Sequence, residues 1–326
     1  MIWKELFPWA NQELVELNIQ SPKVLDRNVL ISKSGFKGIE GDSTLTVLDR
    51  NYYCSIDYCT FFRCSSLGCY QKAGCVHMRL TGYGSASITR TIGDSCQSSW
   101  EGNFGRLEVG KFGSIIVMMT SINKCSPDSS IDSYHSLRLK NWNQIAKNIN
   151  STRSFSVRHT CLSTVTPVYA TVDFCNFADN QLRMTCLQEI TGSANVRRVN
   201  YIGNRLGALY TKLEGIISVY REVEGMIVII SDCVLIKNTA TYLVSVCKSD
   251  ATMIGCYIQN RSFKESGANL IVVDSNVREP ITMTLMAGPG KHADIPYGGG
   301  TRSGKPRSIS TVVYLTIFLS EALNFI

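Results

Sequence analysis

Apolar and polar positions alternate in short runs along this chain. The runs recur as a ten-residue phrase whose fifth or seventh position is apolar and whose tenth is Asn or Cys. Clear copies are Ser55 to Cys64 (SIDYCTFFRC), Thr171 to Asn180 (TVDFCNFADN), Asn195 to Asn204 (NVRRVNYIGN) and Ile229 to Asn238 (IISDCVLIKN). Ser87 to Cys96 and Ile116 to Cys125 are weaker copies, and Met253 to Asn260 is one residue short. The fifth positions fall at 59, 91, 120, 175, 199, 233 and 256, so the steps are 32, 29, 55, 24, 34 and 23 residues, the 55 reading as two units. Repeats of about 20 to 50 residues are the mark of a solenoid.

Within TVDFCNFADN the alternation predicts Val172, Phe174 and Asn176 on one face and Asp173, Cys175 and Phe177 on the other, which is the period of a strand. Val, Ile, Thr, Tyr and Phe crowd the units, and outside Leu6 to Leu17 few stretches combine helix formers with helical spacing. The tenth position is assigned to the turn that ends the strand, since Asn tolerates left-handed backbone. Stacked coils then set each tenth residue over its equivalent, giving a ladder of Asn side chains in which Cys stands in as a small apolar group. The expectation is an all-β chain folded as a right-handed parallel β-helix of about 8–9 coils. Its structural ladder residues are Cys59, Cys64, Cys125, Cys175, Asn180, Asn204, Cys233, Asn238 and Asn260. A β-sandwich would also show short alternating strands, but it leaves the repeated phrase unexplained.

Residues 1–50 follow no unit and are expected to form an N-terminal cap over the open end of the solenoid, with the helix itself over 51–287. Pro127 to Asn150 is polar and holds no clean unit, so it is either a degenerate coil or a lateral loop. Residues 288–326 form a Gly/Pro-rich linker and an apolar tail. The tail's last residues, 311–326, read as a C-terminal cap, the start of a truncated anchor, or a product of a disrupted reading frame.

The net charge of +7 would suit a polyanion, yet Lys and Arg are scattered without a basic run, which argues against nucleic acid. Glu5, Glu13 and Glu16 interrupt the start, where an export signal needs an apolar core. The longest apolar stretch, Val312 to Leu319, is too short to span a membrane as a helix. Thirteen cysteines are an odd number, and the first four, at 54, 59, 64 and 69, match neither zinc-module nor thioredoxin spacing. Cys59, Cys175, Cys233 and Cys256 repeat the fifth position and read as buried thiols stacked inside the coils, with disulfides between neighbouring coils as the alternative.

The chain carries no recognisable catalytic constellation. Asp57 and Asp173 share a position in the unit, but about four coils separate them, roughly 19 Å at the strand spacing. Two carboxylates acting on one glycosidic bond stand about 5–9.5 Å apart. Asp232 is about two coils from Asp173 but one position later, which predicts the opposite face. His77, His135, His159 and His292 lack metal-site spacing. In GGTRSGKP, Pro306 stands where a phosphate loop needs a hydroxyl. No catalytic, cofactor-binding or metal-ligating residue is assigned, and a polysaccharide lyase or hydrolase on the same scaffold is the competing class.

Phe177-Ala178-Asp179-Asn180 is a full F-x-x-N, and Tyr201-Ile202-Gly203-Asn204 with Gly207-Ala208-Leu209-Tyr210 is similar to that motif followed by G-G-A-I. Phe61 to Cys64 with Ala73 to Val76, and Gln259-Asn260 with Ser266 to Leu270, are looser copies. In these the chain, from about Asn51 to Ile271, resembles the repeat of polymorphic outer-membrane-type proteins, and its Cys-rich version (YCTFFRCSS) is similar to β-helical surface proteins of parasitic protists. The resemblance implies a secreted or cell-surface β-helix used for adhesion or display, with host-cell or extracellular proteins or glycans as partners. A signal peptide and a C-terminal anchor usually accompany such proteins, and neither is read here.

Overall fold

The computed structural model describes residues 14–15, 21–66, 73–99, 102–125, 135–156, 161–183, 186–207, 215–220, 225–259 and 261–273. Among them there is no helix, and every strand pairing is parallel. The chain is a parallel β-helix. Each coil contributes a strand to each of three columns. The first column holds Val29–Ser32, Tyr53–Asp57, Ser85–Thr89 and Ser114–Met118, the second halves of the long strands Leu137–Lys147 and Leu162–Asp173, and Ala194–Arg197, Val228–Ser231, Ala251–Ile254 and Leu270–Val273. The second column runs from Lys23–Val24 through Leu45–Arg50, Val76–Leu80, Gly105–Glu108 and the first halves of the same long strands to Phe263–Ser266. A third sheet of nine short strands, from Gly35–Lys37 to Tyr257–Ile258, closes the coil.

The alternation predicted through the whole phrase is interrupted in the structure, because a single left-handed residue sits at its fourth position. Tyr58, Arg90, Met119, Asn148, Phe174, Arg198 and Asp232 all have φ between 48° and 57°. That residue turns the chain from the first column to the third and resets which face points inward. Val172, Cys175 and Phe177 are therefore all buried, while Phe174 lies at the corner. A second left-handed corner follows at the ninth position, in Arg63, Ser95, Lys124, Arg153 and Asp179. This backbone falls on the ninth residue and not, as expected from Asn, on the tenth. The tenth residue in fact follows the corner, which leaves its side chain free to point into the coil. Non-glycine left-handed residues cost on the order of 1–2 kcal/mol each, so side-chain bonding beside the corner has a strain to offset.

The core consists of rows, each residue resting on its equivalent one coil away. Ile31, Ile56, Ile88, Val117, Ala146, Val172, Val196, Ile230 and Met253 are paired in succession and fully buried. In the third sheet Phe36 stacks on Phe61 with ring centroids 4.6 Å apart, and Phe177 stacks on Tyr201 at 5.6 Å. Gly93 takes the next place after Phe61, and Phe104 enters from the second column to fill it.

Two boundaries differ from the expectation. Val29–Ser32 and Gly35–Lys37 pair in register with Tyr53–Asp57 and Thr60–Phe62, so regular coils begin well before residue 51. The unresolved step of 55 contains a coil. Ile149 takes the buried fifth position, and Asn150–Thr152 continues the third sheet within the phrase Ile145 to Ser154. The predicted linker and tail at 288–326, and Asn260, lie outside the described residues.

Candidate functional site

The tenth-position side chains form one continuous bonded row. Asn180 donates its Nδ2 to the Ser151 carbonyl, Asn204 to that of Phe177 and Asn238 to that of Tyr201, at 2.9, 2.8 and 2.7 Å. In each case the acceptor belongs to the preceding coil. The amide oxygens complete the row: Asn204 Oδ1 accepts from the Asn180 backbone N–H at 3.0 Å, and Asn238 Oδ1 accepts from the Asn204 N–H at 3.0 Å. Ser154, which no clear phrase announces, continues it by accepting from the Cys125 N–H at 3.3 Å and donating no amide of its own. Towards the N-terminus the thiols of Cys64, Cys96 and Cys125 point to the carbonyls of Phe36, Phe61 and Gly93 at 3.7, 3.5 and 3.9 Å. Cys and Asn thus serve the same carbonyl row. A thiol does so without offering an acceptor to the tenth-residue N–H of the preceding coil.

The fifth position is a second inward row. Cys59, Cys175, Cys233 and Cys256 are buried, but Thr91, Thr120, Ile149 and Val199 lie between them, so only Cys233 and Cys256 are neighbours. Cys59 and Cys175 each donate to the carbonyl two residues back, at 3.3 and 3.4 Å. Burial pushes both thiols up to about 12, because a thiolate there would be stranded without water. The described cysteines are all free thiols.

The carboxylates considered for sugar chemistry are four pairings apart, through Thr89, Met118 and Lys147. Each sits in its own clasp. Asp57 accepts from Thr89 Oγ1 at 2.6 Å and from Arg90 Nε at 2.9 Å, and pairs again with Arg90 Nη2. Asp173 accepts from Arg198 Nε at 3.0 Å and Nη2 at 2.7 Å, and from Arg197 Nη2 at 2.9 Å. The clasping guanidiniums lie over the corner aromatics, Arg90 above Tyr58 and Arg198 above Phe174. Asp232 is not on the opposite face as expected. It is an exposed corner residue, two coils from Asp173, on the same outer surface.

The outer face of the second column gathers charge that the sequence leaves dispersed. Successive strands pair His77 with Arg106 and Arg106 with Arg138, and in the next outward row Arg79 with Glu108 and Glu108 with Lys140. Arg106 Nη2 donates to Glu108 at 2.7 Å and both are buried, while Arg79 makes a two-point contact with exposed Asp49. Burial raises the Glu108 carboxyl, and Arg106, Lys140 and Arg138 outweigh that, so it lies below its usual range. Where these strands turn into the first column, the turns carry Tyr83, Phe112 and Trp142. Tyr83 stacks on Phe112 at 5.2 Å, Trp142 meets Phe112 edge-on at 5.2 Å, and Lys111 lies over the Phe112 ring. Tyr83 and Phe112 are 60% and 52% exposed.

No known protein family, curated protein or solved structure matches the chain. Function therefore rests on the residues themselves. Among the described residues no group of three His, Cys, Asp or Glu stands close enough to hold a metal ion, and no helix is long and apolar enough to cross a membrane. No local motif marks the aromatic and cationic corner, because its equivalent members are 29 to 32 residues apart. Only the coil step found there, such as the 29 residues between the fifth positions 91 and 120, would have brought them together.

Proposed function

We propose that this protein is a non-enzymatic interaction protein, of the adhesion or display kind, that presents the outer surface of a β-helix to host-cell or extracellular proteins or glycans. The observation that carries the reading is the state of its carboxylates. Asp57 and Asp173, the two that share a place in the repeat, are each engaged by a neighbouring arginine through two contacts, and four strand pairings hold them too far apart to act on one glycosidic bond. The chemistry that does repeat, the Asn and Cys rows, points inward and holds coils together. Placement at the cell surface or outside the cell follows from the resemblance of the F-x-x-N copies to surface β-helices.

The competing reading is a lyase or hydrolase on the same scaffold. Incubation of the full chain with a panel of pectins and neutral glycans separates the two, with reducing ends and unsaturated products as readouts. The proposal expects neither to accumulate. Product release that is abolished by Asp232→Ala, the exposed corner carboxylate, would overturn it.

A further inference from the structure

We propose that Cys233 and Cys256 are the two halves of a coil-to-coil cystine that closes when the chain folds in oxidising surroundings. The bond lies inside the solenoid, and its oxidising setting rests on the reading that puts this protein at the cell surface or outside the cell.

Both residues hold the fifth position of their units, on successive coils. Ser231 pairs with Ile254 just before them and Val234 with Tyr257 just after them, and the Tyr257 N–H donates to the Cys233 carbonyl at 2.8 Å. The register does not shift between those pairs, so Cys256 rests on Cys233 at the strand separation of about 4.8 Å. That lies within the Cα separation of roughly 4.4–6.8 Å that a disulfide bridges. The two thiols also point the same way. Cys233 Sγ lies 3.2 Å from the Ser231 carbonyl and 3.8 Å from that of Val196, and Cys256 Sγ lies 3.5 Å from the equivalent carbonyls of Ile254 and Ile230. The sulfurs are within hydrogen-bonding reach of each other, and both side chains are buried. The other fifth-position thiols have no such neighbour: Cys59 lies between Ser34 and Thr91, and Cys175 between Ile149 and Val199. Cys64, Cys75 and Cys96 also reach one another, but three thiols allow more than one pairing and fix none.

The oxidant is a small-molecule disulfide such as oxidised glutathione. One cysteine thiolate attacks it, forming a mixed disulfide and releasing one glutathione; the second thiolate then attacks the protein sulfur of that mixed disulfide and expels the other. One disulfide is thereby reduced to two thiols while one protein disulfide forms, and the two cysteine protons end on the two glutathiones. Burial raises the Cys233 thiol, so the exchange belongs to folding, before the last coils close over the pair. The bond fastens the shortest seam of the third sheet. The last described strand of that sheet, Tyr257–Ile258, has two residues and two register partners, Val234 and Leu235. A short strand at the end of a solenoid is the kind of element that opens first. A cystine between residues 233 and 256 restrains the opened chain there, where the hydrogen-bonded ladder is thinnest.

The test refolds the full chain from guanidinium in a glutathione redox buffer and, in parallel, in dithiothreitol. Remaining thiols are blocked with N-ethylmaleimide, and the peptides are mapped by mass spectrometry without reduction. A peptide linked through Cys233 and Cys256 is expected after oxidised refolding alone, with Cys59 and Cys175 recovered as alkylated thiols. Hydrogen exchange at the Tyr257 amide should be at least about tenfold slower in the oxidised form than in the reduced one. Cys256→Ser should remove that difference and keep the strand-rich circular dichroism. Recovery of Cys233 and Cys256 on separate alkylated peptides after oxidised refolding, or a bond from either to another cysteine, would overturn the pairing. So would a redox-dependent Tyr257 exchange that persists in Cys256→Ser. Because the oxidant is supplied, these outcomes bear on the pair alone, whereas product release from the glycan panel counts against the non-enzymatic reading alone.

Discussion

Asn204 is the most connected member of the tenth-position row, and replacing it with alanine gives the sharpest test of the coil-to-coil bonding. Its oxygen accepts from the Asn180 backbone N–H and side chain at 3.0 and 3.1 Å, and its Nδ2 donates to the Phe177 carbonyl and to Asn238 Oδ1 at 2.8 and 3.0 Å. The side chain is fully buried. In Asn204→Ala the Asn180 N–H keeps no acceptor and the Phe177 carbonyl loses its amide donor, whereas Asn180 Nδ2 keeps Ser151 and Asn238 keeps the Asn204 N–H. One unmet buried N–H at about 1–3 kcal/mol, with the second donor to the Phe177 carbonyl lost and a small cavity added, gives an expected loss of about 3 kcal/mol. Guanidinium denaturation of the full chain measures the loss, and hydrogen exchange at the Asn180 amide locates it. Asn238→Ala, at a partly exposed position, should cost about 1–2 kcal/mol. Asn204→Cys should recover part of the loss, because a thiol can reach the Phe177 carbonyl as Cys96 reaches that of Phe61. A loss below about 1 kcal/mol in Asn204→Ala, with Asn180 protection unchanged, would refute the view that this row ties the coils together.

Three further outcomes follow from the core and the charged face. Cys59 and Cys175, at about 12 against an ordinary 9.0, hold roughly a thousandfold less thiolate at pH 8, so maleimide labelling should be at least that much slower in the native protein than in guanidinium; rapid native labelling would place them outside the coil. Gly93→Ala puts a methyl 2.2 Å from Phe104 Cδ2 and should lower stability by about 1–3 kcal/mol, with Phe104→Leu restoring part of it in a double-mutant cycle. Glu108→Gln removes the carboxylate charge that pairs with buried Arg106 and should cost about 3 kcal/mol at pH 7. Because the Glu108 carboxyl is lowered in the fold, its contribution is complete above the unfolded value near 4.5 and fades as pH falls through the folded one. Thermal melts should therefore show a clear gap between variant and parent at pH 7 that narrows as the pH is taken below 4.5.

The fold was legible because a coil repeats its chemistry at the tenth position, and Asn180, Asn204 and Asn238 keep that position visible however the rest drifts. What the sequence hid lay at the corners. Strict alternation placed Phe174 on a continuous face, whereas a single left-handed residue rotates the chain there, and Tyr58, Arg90 and Phe174 share that backbone without sharing a side-chain type. The coil through Ile149 was hidden for a related reason. Its inward residues are Ala146, Ile149, Ser151 and Ser154, small groups that satisfy the interior with no Asn or Cys to announce it. The cationic corner was invisible because proximity there comes from stacking, and no local pattern encodes a neighbour one coil away.

Coil length varies in this protein, from a step of 34 residues between Asn204 and Asn238 to one of 19 between Asp250 and Asn269, yet the stretch from the first column through both corners holds its ten-residue length from Ser55–Cys64 to Ile229–Asn238. All the slack lies in the connections outside that stretch. The two left-handed corners therefore divide each of these coils into a fixed gauge and an elastic return. New sequence can enter the return, at a loop cost that grows only slowly with length, while the rows inside keep their alignment. A solenoid built this way can diversify along one flank, gaining or losing whole segments there, without renegotiating the contacts that make it a solid.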